Sequence, residues 1–369
     1  MTSATRRGII SGYVLKLGRE STGHSQERLA LVLGVDRGTV QGWESGLRPL
    51  TAAGYGRVMS LRQRLLALGA RPDLIAALGP AVDADLLLEA ILDLPADSVD
   101  LGQHPVGWTV QSRAVVEMLM WAAVGTPPRL MASTPAPRRR GPVASGPALT
   151  AAERATLWDH LRILAERARG REGALLLHRQ ASFLGSCDPA GTATAWLRPT
   201  PQAKQFFGRS STWSPYWADA RSLAVALARD GDTEPLQDFI AAGVGDTAWE
   251  QANLTYWAYW VGEVREQQPS DDFMVDPAVT WSGAALYAHL VACLGRASTW
   301  LDLNVHSLWS LLQVRQGLPA GDRASTAILF DQSEPLLDSG RLSPRARHEL
   351  GSVRYALIAQ GLQPAKEQP

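Results

Sequence analysis

The sequence predicts an all-α chain made of a compact head and a larger helical body. Three observations carry this. Apolar residues recur at three- and four-residue spacing along most of the 369 residues, and no alternating strand pattern of any length appears. The helical stretches repeatedly end at Gly and restart at Ser, Thr or Asp, which is stop-and-start punctuation. A segment at 125–150 carries Pro127, Pro128, Pro135, Pro137, Pro142 and Pro147, too many for a helix or a central strand. The expected boundaries are 1–70 for the head, 71–124 for a helical extension, 125–150 for a linker and 151–369 for the body.

The head opens with a helix over 9–21, with Ile9, Ile10, Val14 and Leu17 on its apolar side. Residues 25–49, SQERLALVLGVDRGTVQGWESGLRP, then read as two short helices around a tight turn. Ser25 is an N-cap for a helix from about Gln26 to Val32, and Asp36 is an N-cap for a second from about Arg37 to Glu44. Gly34 supplies the positive φ that the turn between them needs. Leu29, Ala30, Leu33, Val35, Val40 and Trp43 form the expected shared core, with Ala30 small at the crossing. Arg37, Thr39 and Gln41 lie on the other face of the second helix. The forked ends of Arg and Gln are the groups that pair with guanine and adenine edges in a major groove. SGLRPL at 45–50 is a loop, because Gly46 and Pro49 both punctuate. A further helix over 52–69 carries Val58, Leu61, Leu65 and Leu68 at helical spacing.

This stretch resembles the XRE-type, or phage-repressor/Cro-like, helix-turn-helix family. The matching positions are Gln26, Leu29-Ala30, Leu33-Gly34-Val35, Asp36, Val40, Trp43 and Glu44-Ser45-Gly46. The resemblance implies duplex DNA as partner, with the second helix in the major groove. On it, Gln26, Arg37, Gly38, Thr39, Gln41, Gly42 and Arg48 are the expected DNA-binding residues. Gln26 and Arg48 would meet phosphate, and the others line the recognition helix. Gly38 and Gly42 stand where the family often has longer polar residues. They cost the helix on the order of 1–2 kcal/mol against alanine, and they narrow direct readout or let the helix sit closer to the groove floor. The long helical body also gives the chain an architecture similar to actinobacterial regulators of this type.

Charge agrees with that partner. The whole chain is formally neutral, yet residues 1–65 hold ten Arg/Lys and four Asp/Glu, a net +6 that leaves −6 for the rest. A basic head on an acidic body suits a domain that attracts phosphates. Cys187 and Cys293 make no CxxC and no disulfide framework, which points to a reducing cytoplasm, with the protein on the nucleoid. Residues 1–20 have no long apolar run and are not expected to be a signal peptide. No 18-residue apolar stretch predicts a membrane span.

Between head and body, 71–124 reads as three helical patterns bounded by Pro72, Gly79-Pro80, Pro95 and Pro105, either extending the head or forming a dimer contact. Arg138-Arg139-Arg140 in the linker reads as a solubilising run, with non-specific nucleic-acid contact as the alternative. The body resembles a helical-repeat array, but no fixed period emerges and the tetratricopeptide consensus is not met. Trp249, Asn253, Tyr256, Trp257 and Trp260 share one helix at i, i+4 and i+3 spacings. Such a stripe either fills a core, its commoner use, or walls a site for a small ligand or peptide. Asn253 is the reason to keep the second reading, since a buried amide needs a partner. Asp271-Asp272 is expected to be a solvated loop pair.

No HExxH, GxSxG, Walker loop or GxGxxG after a strand is present, and Cys187 with His178 lacks an obvious third group. No enzyme activity, cofactor or metal is expected. The sequence therefore predicts a sequence-specific transcriptional regulator, homodimeric, whose body mediates oligomerisation or the sensing of a ligand or partner. The alternatives are a helical interaction scaffold, or a defence effector, that uses the DNA-binding head for localisation.

Overall fold

The computed structural model describes residues 7–94, 100–131, 146–171, 173–190, 216–229, 231–243, 247–268, 270–295 and 300–362. Every regular element in them is helical. Most of the linker, including Arg138-Arg139-Arg140, lies outside the described residues, as do Trp196 and Trp213. The chain divides into two compact units, Met1–Glu166 with Phe183–Ala193, and Arg167–Ser182 with Thr194–Pro369. The first change of unit falls inside a helix, Ala151–Ala168, and not in the 125–150 segment.

The first unit is built on α1 (Ile9–Ser21), α2 (Gln26–Leu33), α3 (Arg37–Glu44) and α4 (Tyr55–Ala67). It continues through α5 (Pro72–Leu92), α6 (Arg113–Val124) and most of α7 (Ala151–Ala168). The four residues expected on the apolar side of α1 are all buried, together with Leu15. They lie against α5, which buries Leu74, Ile75, Leu78, Leu87, Leu88 and Ile91. Each such aliphatic side chain favours burial by roughly 1.5–3 kcal/mol. Tyr13 of α1 meets Trp121 of α6 edge-to-face, with ring centroids 5.2 Å apart. The helices of 71–124 are thus packed onto the head. A chain cut at residue 70 would strip the cover from α1.

Two expectations are corrected in this unit. Gly79-Pro80 does not break a helix, because α5 runs unbroken for 21 residues with Pro80 inside it. A proline clashes with the Cβ of the residue before it when that residue is helical, and Gly79 has none. The carbonyl that Pro80 leaves without an N–H partner is that of Ala76, which is exposed and open to water. The helix expected over 52–69 starts later, at Tyr55, after a one-turn 3-10 segment (Leu50–Ala53).

Asp85 sits on the buried face of α5 with 1 % of its surface exposed. Its two carboxylate oxygens accept from the N–H groups of Ile10 (3.0 Å) and Ser11 (2.9 Å). Gly8, at the head of α1, has no side chain to cap the helix. Asp85 supplies that cap from 75 residues away, which a local cap rule cannot see.

The second unit contains most of α8 (Leu175–Gly185), then α9 (Tyr216–Arg229), α10 (Glu234–Gly243) and α11 (Thr247–Trp260). It ends with α12 (Ala284–Leu294), α13 (Leu301–Val314), α14 (Arg323–Asp338) and α15 (Pro344–Ala359). Tyr287 and Thr326 hydrogen-bond at 2.8 Å between α12 and α14. His306 of α13 is fully buried and meets Glu349 of α15 through Nδ1 at 2.9 Å, with Glu250 of α11 3.5 Å from Nε2. Burial alone would lower this imidazole's pKa, but the two carboxylates hold it above the ordinary value.

Asp271 corrects a third expectation. It is buried, not solvated, and accepts from the N–H groups of Leu175 (2.8 Å) and Leu176 (3.1 Å) at the start of α8. Burial pushes its pKa up to about 6, against the pull of those two hydrogen bonds. Asp85 is pushed to about 6 in the same way. Among the described residues no helix is long and apolar enough to cross a membrane.

Candidate nucleic-acid interface

The local chemistry of residues 25–49 folds as its caps dictate. Ser25 accepts from the Arg28 N–H, which starts α2. Gly34 ends that helix at φ 68°, in the left-handed region where its missing Cβ removes the steric penalty. Asp36 then caps α3, accepting from the Thr39 N–H (2.8 Å) and from the Thr39 hydroxyl (2.6 Å). These bonds, the hydroxyl's first, hold the Asp36 carboxyl below its usual range.

Below α3 the core is tight. Leu29, Ala30, Val40 and Trp43 are buried, while Leu33 and Val35 are only half-buried at the rim. α1 also comes close to α3 at Gly12, where a Cβ would collide with the Trp43 carbonyl oxygen. Glu44, at the end of α3, is the anchor. It accepts from Arg19 Nε (2.6 Å) and Nη2 (3.0 Å), and from Gln26 Nε2 (2.7 Å). Arg19 also donates to the His24 carbonyl at 2.7 Å. A forked, charge-assisted pair of this kind fixes orientation as well as adding energy. It ties the ends of α1, α2 and α3 together. Arg64 of α4 donates to the Val32 carbonyl at the end of α2, where a cation also suits the helix dipole.

The outward face of α3 carries Arg37 and Gln41, both exposed. Arg37 Nε lies 2.8 Å from Glu27 Oε1, with 62 % and 56 % of the two side chains exposed. An ion pair so open to water breaks at little cost, so Arg37 is free to turn to a base edge. Thr39 is engaged: its hydroxyl donates to Asp36 and accepts from Arg48 Nη1 at 3.0 Å. Gly38 is exposed. Gly42 is buried, and a Cβ there would press on the Arg48 side chain at 3.0–3.4 Å. The glycine makes room for Arg48 to lie across α3. Gln26 is half-buried and spent on Glu44 through its amide nitrogen.

α3 thus presents a fork-ended arginine and an amide outward, with its far end anchored through Glu44 to α1 and α2. Residues 15–53 match the family model described as helix-turn-helix. This segment is a helix-turn-helix domain of the Cro type. Comparison with curated proteins and with solved structures gave no match. A helix-turn-helix domain is a DNA-binding one. Sequence reasoning missed Arg19 and the anchoring use of Glu44. The signal was present, since a Glu closing a recognition helix beside a buried Trp has to find a cation. It also passed over Leu47 and Tyr55, which stay 62 % and 81 % exposed around the loop after α3.

The stripe on α11 is placed in the second unit's interior. Trp249, Asn253 and Tyr256 are almost fully buried, Trp257 is 8 % exposed and Trp260 is half-buried. Asn253 donates to Ser307 at 3.4 Å, while its carbonyl oxygen has no hydrogen-bond partner among the described residues.

Proposed function

We propose that the chain is a sequence-specific transcriptional regulator that reads duplex DNA through Arg37 and Gln41. In this reading it acts as a homodimer in the cytoplasm, and its helical body serves oligomerisation or the response to a ligand or partner. The observation that carries the reading is the outward pair Arg37 and Gln41 on a helix whose far end Glu44 locks to α1 and α2. Arg is the commonest specific contact to guanine and Gln pairs with adenine. Arg48, lying along the same surface and bonded to Thr39, supports phosphate contact beside them.

One short recognition helix with two readers gives limited discrimination, which supports two half-sites read by a dimer. The test is to select bound fragments from random duplex DNA with the full-length protein, then titrate the selected site at several salt concentrations. Affinity should fall steeply between low and physiological salt, since the basic head must displace counterions. Sedimentation of the complex should give two chains per site. A flat salt response, or selection that yields no shared sequence, would refute the reading.

A further inference from the structure

Arg221 lies in the middle of α9 with 5 % of its surface exposed. Its surroundings are rings. The guanidinium carbon is 4.8 Å from the Trp257 centroid, 5.8 Å from Tyr256 and 5.9 Å from Trp217. Among the described residues no carboxylate approaches it, and Nε is sealed from water without an acceptor. The charged group whose field reaches it is a second cation, Arg179, which donates to the Tyr256 hydroxyl at 3.1 Å and stands 5.1 Å over the same ring. Burial lowers the Arg221 pKa to about 9, so it stays charged at neutral pH. Ring faces attract a cation, but more weakly than an anion does, and a buried charge without a counter-ion is costly. The indole nitrogen of Trp257 also has no hydrogen-bond acceptor among the described residues.

We propose that the Arg221 cluster is a binding site for a small organic carboxylate with a flat apolar body. The guanidinium fork matches a carboxylate in two parallel hydrogen bonds. Trp217, Tyr256 and Trp257 offer aromatic surface to the rest of the molecule. Arg179 adds positive potential. The site gives the body's ligand response a chemical class. It rests on the function proposed above only for its link to DNA, because binding is measured first by itself.

The experiment uses the full-length protein and four probes: benzoate, its neutral isostere benzamide, the cation benzylamine, and inorganic phosphate. Benzoate at about a hundred times its Kd should raise the melting temperature by roughly 5–10 °C and change tryptophan fluorescence, while benzamide and benzylamine should do neither. Arg221→Met should melt no lower than wild type without ligand and lose the benzoate shift. Arg221→Lys, which keeps the charge but not the fork, should weaken benzoate binding at least about tenfold. Equal shifts with benzoate and benzamide would overturn the proposal. So would a shift with phosphate alone, no shift with any probe, or a benzoate shift that survives in Arg221→Met. A benzoate shift that leaves operator affinity unchanged would uphold the site and count against the body as the part that controls DNA binding.

Discussion

Arg19 and Arg221 are both buried arginines, one in each compact unit, and they are treated in opposite ways. Arg19 is forked onto Glu44, and that carboxylate raises its pKa in spite of burial. Arg221 meets rings and a like charge, and its pKa falls. Burying either ion costs several kcal/mol, and among the described residues only the first has a carboxylate that offsets it. The difference shows what each unit is built to hold. In the head, Arg19 and Glu44 satisfy each other and tie the end of α3 to α1 and α2. In the body, no carboxylate among the described residues meets Arg221, so an anion that reached it would add stability.

The largest expected effect comes from making Arg19 resemble Arg221. Glu44→Gln removes the carboxylate and should destabilise the first unit by about 3–5 kcal/mol, the usual cost of stranding one member of a buried pair. Urea denaturation monitored by far-UV circular dichroism would measure this. A loss below about 1 kcal/mol would mean that Arg19 finds another partner, and the contrast with Arg221 would disappear.

Next come the two remote caps, where the units behave alike. Asp85 and Asp271 each accept two N–H groups at the start of a distant helix, and each has its pKa pushed up to about 6 by burial. A carboxyl with a raised folded pKa binds its proton more tightly in the native state. Its stabilising contribution is therefore complete below the unfolded value near 3.9 and is lost as pH rises through about 6. A rise of that size is worth on the order of 3 kcal/mol per group. Asn imitates the protonated carboxyl and does not titrate. The stability advantage of wild type over Asp85→Asn should thus shrink between pH 4 and pH 7, and the same should hold for Asp271→Asn. An advantage that grows over this range would show that the helix N–H groups outweigh burial.

These caps also mark where the sequence stopped being legible. The bounds of α3 follow from Asp36 and its spacing, and the end of α2 follows from Gly34, because caps and left-handed glycines act within a few residues. Asp85 looks like one acid among several in DADLLLEAILDL, and Asp271 looks like half of a loop pair. Nothing local says which carboxylate will turn inward to serve a helix 75 or 95 residues away. Pro80 was misread for a related reason, since its tolerance depends on Gly79 before it and on the exposure of Ala76. Gly42 looked like a gap in the readout surface, and only the path of Arg48 reveals it as a seat. Arg221 gave no signal at all, because an arginine in an amphipathic helix is normally solvated and its isolation appears only when three rings surround it.

The smallest effect on stability is expected at a third arginine, which completes the comparison. Arg37 is exposed and paired with exposed Glu27, so water already screens the pair. Arg37→Ala should leave the denaturation midpoint unchanged within error. It should nevertheless cost roughly 1–3 kcal/mol at the selected DNA site and much less on random duplex. Gln26→Ala should instead weaken binding to both evenly, because Gln26 acts through Glu44 on the pose of the whole recognition helix. Titrating wild type and both variants against the selected and a scrambled duplex separates the two behaviours. Equal losses on both duplexes for Arg37→Ala would move it from base reader to phosphate contact. Readout would then rest on Gln41 alone among the exposed forked side chains of α3.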